Sequence, residues 1–306
     1  MKIAVLSDIH GNIHALRAVL DDAQNAGATG FILLGDYYLD MPFPNEVAQT
    51  LKQLPILAMV RGNKEDYLRH SAWDKNNLQM SSLIWNLAAL SPSNHNFFAM
   101  LPEEISFNVN GINIWAFHAY GRLFAHTAVM NFGSGRFYQR MHKEPFNHSQ
   151  YLDYVDSLLS ADEKLGAMPG GVYLFGHSHI QWHWQRGDKL LLNPGSCGMP
   201  LDFQTTAAYS LIEYNSGRWQ ICERRVPYDV ALCIRALRES DLYKAAPDFS
   251  EVITEQLQSA MERVSFLISL AENFAIEAGE DGKAQPFSNE VWIKACRKYR
   301  TGIPKL

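Results

Sequence analysis

Four separated places along this chain put carboxylate, imidazole or amide side chains directly after an apolar run. They are Asp8 and His10 in "SDIHGN", Asp36 in "GDYYLD", Asn63 in "RGNKED" and His118 in "AFHAYG". A fifth, "GHSHI", adds His177 and His179 as an HxH pair. The set is two carboxylates, four imidazoles and one amide oxygen. Hard and borderline ligands of this kind suit divalent ions such as Mn²⁺, Fe or Zn²⁺, with Ni²⁺ also compatible, and seven ligands exceed the usual share of one ion. Two ions sharing one carboxylate are the economical solution, and Asp36, alone on its turn, is the expected bridge. A single Asp or His at such a place is ordinarily a cap or a satisfied polar residue, and Asn63 alone would pass as a helix cap. The metal reading rests on all five turns together.

The order D-x-H, G-D, G-N, H and G-H-x-H resembles the calcineurin-like metallophosphoesterases, and in such a site two ions about 3.5–4 Å apart would lower the pKa of a bound water toward 7, clamp a phosphoryl oxygen and offset charge at phosphorus. A metal-bound hydroxide would then attack in line, opposite the leaving oxygen. No Ser or Cys nucleophile is needed, and no G-x-S-x-G elbow occurs; Ser196 in "NPGSCG" reads as a turn residue. For the phosphate itself, Arg122 and His126 are spaced i and i+4 after Gly121 and are candidate substrate contacts. Tyr37 and Tyr38, next to Asp36, read as core residues, with a nucleobase wall as the alternative.

The elements that must position these residues are legible in the apolar pattern. "KIAVLS" (2–7), "FILLGD" (31–36) and "PILAMVRGN" (55–63) are strand runs, separated by helical patterns at 12–27 and 45–54. Asn12 is placed to cap the first helix and Gly27 to stop it. This βαβαβ order predicts a parallel sheet, whose strand ends face one crevice where distant loops converge. Strand signals return at 105–119, with an Asn110-Gly111 hairpin turn, and at 171–177, 183–193 and 207–226. Residues 122–165 read as a helical or loop-like insertion. From Pro227 the pattern becomes helical. Ile253, Leu257, Ala260, Val264, Leu267, Ala271, Phe274 and Ala278 form a narrow apolar stripe, expected to pack on the chain's own body or to form a homodimer seam. The expected division is a catalytic domain over 1–226 and a helical extension over 227–306.

Taken in order, "SDIHGN…GDYYLD…RGNKE…GHSH…NPGS" resembles the calcineurin-like metallophosphoesterase superfamily, and within it the bacterial diadenosine-tetraphosphatase-like phosphoesterases. The resemblance covers roughly 2–226. It implies an α/β fold, a four-layer αββα sandwich with a dinuclear site at the strand ends. By that resemblance Asp8, His10, Asp36 and His179 hold one ion, and Asp36, Asn63, His118 and His177 the other. Two departures stand out. Many members carry His after the Gly-Asn, where this chain has Lys64, and Ala119 follows His118 where glycine is common. A free lysine, with a pKa of about 10.4, is a poor proton donor; two cations nearby would lower that value, and a bound phosphate would attract the ammonium. Lys64 is therefore expected either to act as a catalytic anion anchor, donating a proton late if at all, or to point into solvent.

The expected activity is hydrolysis of a phosphoester or phosphoanhydride in a small nucleotide-like molecule, a dinucleoside polyphosphate among the candidates. A protein phosphatase or nuclease using the same chemistry, or a non-enzymatic scaffold on the same fold, is the alternative. Net charge is −5 with no basic cluster, which argues against long nucleic acid as substrate. Cys197, Cys222, Cys233 and Cys296 lack ligand spacing and fit a reducing cytoplasm. The start "MKIAVLSD" enters a strand at once, and no apolar run is long enough to span a membrane, so a cytoplasmic protein without membrane association is expected.

Overall fold

A computed structural model describes residues 1–70, 73–109, 111–119, 147–215 and 218–302. The strands are β1 (Lys2–Leu6), β2 (Gly30–Leu33), β3 (Ile56–Met59), β4 (Glu104–Val109), β5 (Ile112–Phe117), β6 (Gly171–Leu174), β7 (Gln181–Arg186), β8 (Lys189–Pro194), β9 (Ala207–Asn215) and β10 (Arg218–Val226). They form two five-stranded sheets, ordered β10-β9-β1-β2-β3 and β4-β5-β6-β8-β7. The first three strands are parallel, joined by the helices Ile13–Asn25 and Pro44–Leu51, as the βαβαβ pattern predicts. The strand signals at 183–193 and 207–226 are each an antiparallel pair of strands.

Both faces of the inner strands are buried, which explains their continuous apolar runs. Because side chains alternate along a strand, Ile3 and Val5 of β1 enter the core between the sheets, with Ile32, Ile114, Val172 and Leu192. Ala4 and Leu6 point the other way, onto Leu16 and Val19 of the first helix. On β6, Val172 and Leu174 face the inter-sheet core while Tyr173 packs outward on Val155 and Leu159 of the helix His148–Ser160. The result is helix, sheet, sheet, helix. Each Leu or Ile buried this way contributes about 1.5–3 kcal/mol.

The tail departs from the expected single stripe. Ala260 adopts φ 50, a left-handed conformation that ends the helix Pro247–Ser259 before Val264–Glu277 begins. Ile253 and Leu257 pack with Met41 and Met199 of the body. Leu267 and Ala271 instead join Phe287, Val291 and Trp292. These buried members of the stripe are thus divided between two internal cores. The tail is also hydrogen-bonded to the body: Asn77 Nδ2 donates to Phe287 O at 2.8 Å, and Leu78 N to Asn289 Oδ1 at 2.7 Å. Among the described residues no helix is long and apolar enough to cross a membrane.

Candidate metal centre

The five turns meet at the carboxyl ends of β1, β2, β3, β5 and β6. Backbone bonds zip them together: Asp8 N donates to Gly35 O at 3.0 Å, His10 N to Asp36 O at 2.9 Å, and Gly176 N to His118 O at 2.8 Å. The "NPGSCG" turn buttresses them from below. Ser196 Oγ donates to Asp8 O at 2.7 Å and accepts from Met199 N at 2.7 Å, so this serine is a turn residue that fixes the first ligand loop. The approach is close enough to require glycine at position 62, where a Cβ would run into the side chain and backbone nitrogen of Asp36.

Backbone strain is concentrated at these turns. Asp8 (φ 54), His10 (φ 52), Asp36 (φ 56), His177 (φ 67) and His179 (φ 57) all occupy the left-handed region. Each such residue costs about 1–3 kcal/mol and persists only where its surroundings over-determine it. Five of the seven expected ligands carry that strain.

Hydrogen bonds on the outer ring nitrogens define which way the inner ones point. His10 Nδ1 donates to Asp40 Oδ2 at 2.7 Å, His118 Nδ1 to Leu34 O at 2.7 Å, and His179 Nδ1 to Met199 O at 2.6 Å. In the neutral rings the Nε2 lone pairs are therefore directed inward. There they find only acceptors. His10 Nε2 and His179 Nε2 lie 3.2 Å apart, and Asp8 Oδ1 is 3.2 Å from His179 Nε2. Asp36 Oδ2 is 3.5 Å from His118 Nε2 and 3.8 Å from His10 Nε2. Asn63 Oδ1 is 3.0 Å from His118 Nε2 and 3.1 Å from His177 Nδ1. Asp8 Oδ1 is buried without a hydrogen-bond donor. Acceptor atoms crowded into a buried space are stabilised by cations, which is the fit expected for divalent metal ions. Two three-residue groups have ligand atoms within 4.8 Å of one another, Asp8-His10-His179 and Asp8-Asp36-His118.

Charge within the cluster shifts its groups in matched directions. Burial disfavours the Asp8 and Asp36 carboxylates, yet His179 and His118 beside Asp8, and His118 beside Asp36, hold both below the usual carboxylate range. Burial opposes protonation of His118, but Asp36 and Asp8 outweigh it and push the ring up to about 9. His177 moves the other way, to about 4, through burial and the neighbouring His118.

Two positioning residues were not singled out from sequence. Asp40 holds His10, and its signal was only an acid four residues after Asp36 in the same loop. Glu65 reads locally as a first-turn helix residue, but its buried carboxylate accepts backbone N–H bonds from Asp36 at 2.8 Å, Tyr37 at 2.9 Å and Gly62 at 2.7 Å. It ties the β2 loop to the β3 loop.

A cavity of about 220 Å³ opens over the cluster, lined by His10, Asp36, Asn63, His177 and His179, and by Lys64. Lys64 is half-buried, and carboxylates surround it. Burial works against its ammonium, but Asp40, Asp36 and Glu262, with Tyr67, hold it above the ordinary lysine range. Glu262 belongs to the tail and could not be placed from local pattern. Tyr37 and Tyr38 are core residues, stacked on Phe98 at 5.5 and 6.0 Å with hydroxyls bonded to Val60 O and Lys64 O, so they form no nucleobase wall. Arg122 and His126 lie outside the described residues.

Comparisons with known proteins bear on the family and the fold. The profile of the calcineurin-like phosphoesterase superfamily domain matches residues 1–217. An uncharacterized protein of Methanocaldococcus jannaschii is 27% identical over 244 residues, spanning 74% of this chain and 88% of that protein. A metallophosphoesterase from Sphaerobacter thermophilus superposes with a TM-score of 0.60 at 19% identity, over 85% of this chain and 99% of that one. A hypothetical protein of Pyrococcus horikoshii superposes at 0.55 with 17% identity, over 82% and 97%. These two structures share the fold.

Proposed function

Because the chain belongs to the calcineurin-like phosphoesterase superfamily, we propose that it is a dinuclear metal-dependent hydrolase of a phosphoester or phosphoanhydride in a small nucleotide-like substrate. The observation that carries this reading is the convergence of inward lone pairs on the buried space between Asp8 and Asp36. Asp8, His10, Asp36 and His179 would hold one ion; Asp36, Asn63, His118 and His177 would hold the other. When bound, such ions supply an activated water and neutralise charge at phosphorus.

The chain's own residues account for the rest of the reaction. Asp40, Leu34 O and Met199 O hold the outer nitrogens of His10, His118 and His179, so the inner nitrogens stay oriented for a cation. Lys64 anchors the phosphate oxygens as a cation. Without metal ions, burial is outweighed by Asp40, Asp36 and Glu262, which hold it above the ordinary lysine range, and the ammonium is the form that anchors an anion.

A substrate panel with added Mn²⁺ tests the reading, comparing phosphomonoesters, phosphodiesters, cyclic nucleotides and dinucleoside polyphosphates. Turnover of one class, lost in Asp36→Asn, is expected. A metal-loaded protein that hydrolyses none of them would sink the proposal.

A further inference from the structure

The tail enters the cavity over the metal centre through side chains whose other contacts fix how they are held. Gln256 is 3% exposed and lines the cavity. Its Oε1 accepts the backbone N–H of Arg263 at 2.9 Å and of Val264 at 3.4 Å, which fixes the amide orientation. Its Nε2 has no hydrogen-bond partner among the described residues and is left as a donor on the cavity wall. Glu262 lines the same cavity and is held by Ser265 N, which donates to Oε1 at 2.8 Å. Neither Glu262 nor Lys64 makes an ion pair within 4.0 Å among the described residues. Both charges are left to act on whatever occupies the space.

We propose that Gln256 and Glu262 form the tail-side wall of the substrate site and select singly charged phosphodiesters over doubly charged phosphomonoesters. The inference rests on the hydrolytic reading above and narrows it. A diester carries one negative charge near neutral pH, whereas a monoester carries between one and a half and two, roughly. Lys64 attracts either anion. Glu262 offsets Lys64, so the second charge of a monoester gains no partner and meets a carboxylate instead. The Gln256 N–H supplies a neutral donor for an ester oxygen, which a diester presents in place of a charged one. In the reaction, the water oxygen bonds to phosphorus, the bond from phosphorus to the leaving alcohol breaks, and a proton from water ends on that alcohol. The monoester formed carries added charge, so the same carboxylate favours its release.

The test uses the full chain loaded with Mn²⁺. Rates are measured on bis(p-nitrophenyl) phosphate and p-nitrophenyl phosphate, which share a leaving group, and binding on dimethyl phosphate and methyl phosphate. Glu262→Gln keeps an oxygen for Ser265 N and removes the charge. It should raise kcat/KM for the monoester relative to the diester by about fivefold and tighten methyl phosphate relative to dimethyl phosphate by a similar factor. Gln256→Glu keeps the oxygen that caps Arg263 N, replaces the free donor with charge, and should move both ratios the other way. Turnover with ratios that stay within about twofold in both variants overturns this selectivity and leaves the hydrolytic reading intact. No turnover of either ester, with the binding ratios still shifting, overturns hydrolysis and leaves the selectivity. A wild-type protein that binds neither anion overturns both.

Discussion

Glu65 Oε2 accepts a hydrogen bond from the backbone N–H of Asp36 at 2.8 Å, so a residue from the β3 turn sets the position of a carboxylate on the β2 turn. The same oxygen accepts from Gly62 at 2.7 Å, and Oε1 from Tyr37 at 2.9 Å. Glu65→Gln keeps the size but replaces one acceptor oxygen with a donor among buried N–H groups. Stability should fall by about 2–3 kcal/mol, and metal affinity by about tenfold. Urea unfolding and metal content measured together check this, and wild-type values for both would remove Glu65 as an organiser.

Asp40 should act on the metal centre without touching an ion. Its Oδ2 takes the Nδ1–H of His10 at 2.7 Å and so directs the opposite nitrogen inward. Asn is the informative substitution, because position 40 has φ 71, which Asn tolerates better than Ala. Asp40→Asn should weaken Mn²⁺ binding about tenfold with little change in fold. Calorimetric titration reads the affinity directly; an unchanged value would leave Asp40 a structural residue.

Lys64 separates binding from metal loading. Lys64→Ala should lower kcat/KM by about tenfold or more while metal content holds, since a cation that clamps a phosphoryl group acts on the anion. Lys64→Arg should recover part of the loss by retaining the charge. Wild-type kinetics in the alanine variant would end the anchoring role.

The metal-free site should take up ions with release of protons. His118 is raised above its ordinary value, so its proton is held until pH passes about 9. A raised folded-state pKa contributes stability that is complete below about 6.5 and lost as pH rises through the folded value. Metal-free protein should therefore lose stability between about pH 6.5 and 9, while Mn²⁺ affinity rises over the same window as the proton stops competing. Titrations in buffers of different ionisation heat would count the protons; no release near pH 7.5 contradicts the assignment of His118 as a ligand.

The sequence by itself determined the chemistry-bearing set. Asp8, His10, Asp36, Asn63, His118, His177 and His179 each follow an apolar strand run, and the alternation of strand and helix periods requires those strand ends to share a crevice. Periodicity and residue type are local properties, so they are legible without coordinates. In "RGNKED", Gly62 makes room for Asp36 and Asn63 opens the short helix Asn63–Asp66, with its Oδ1 3.0 Å from His118 Nε2.

What only the tertiary structure decided are the partners that depend on contacts between distant segments. Glu65 has the sequence of a first-turn helix residue, and its role appears only when the β2 backbone lies against it. Tyr37 and Tyr38 became core residues because Phe98 packs on both rings. The apolar stripe from Ile253 to Ala278 continues through Ala260, whose left-handed backbone no spacing rule reveals, and that break brings Glu262 to the cavity that Lys64 lines. Hydrogen-bond direction, backbone strain and the charge facing a substrate are set by neighbours nearly two hundred residues away, roughly the span from Lys64 to Glu262.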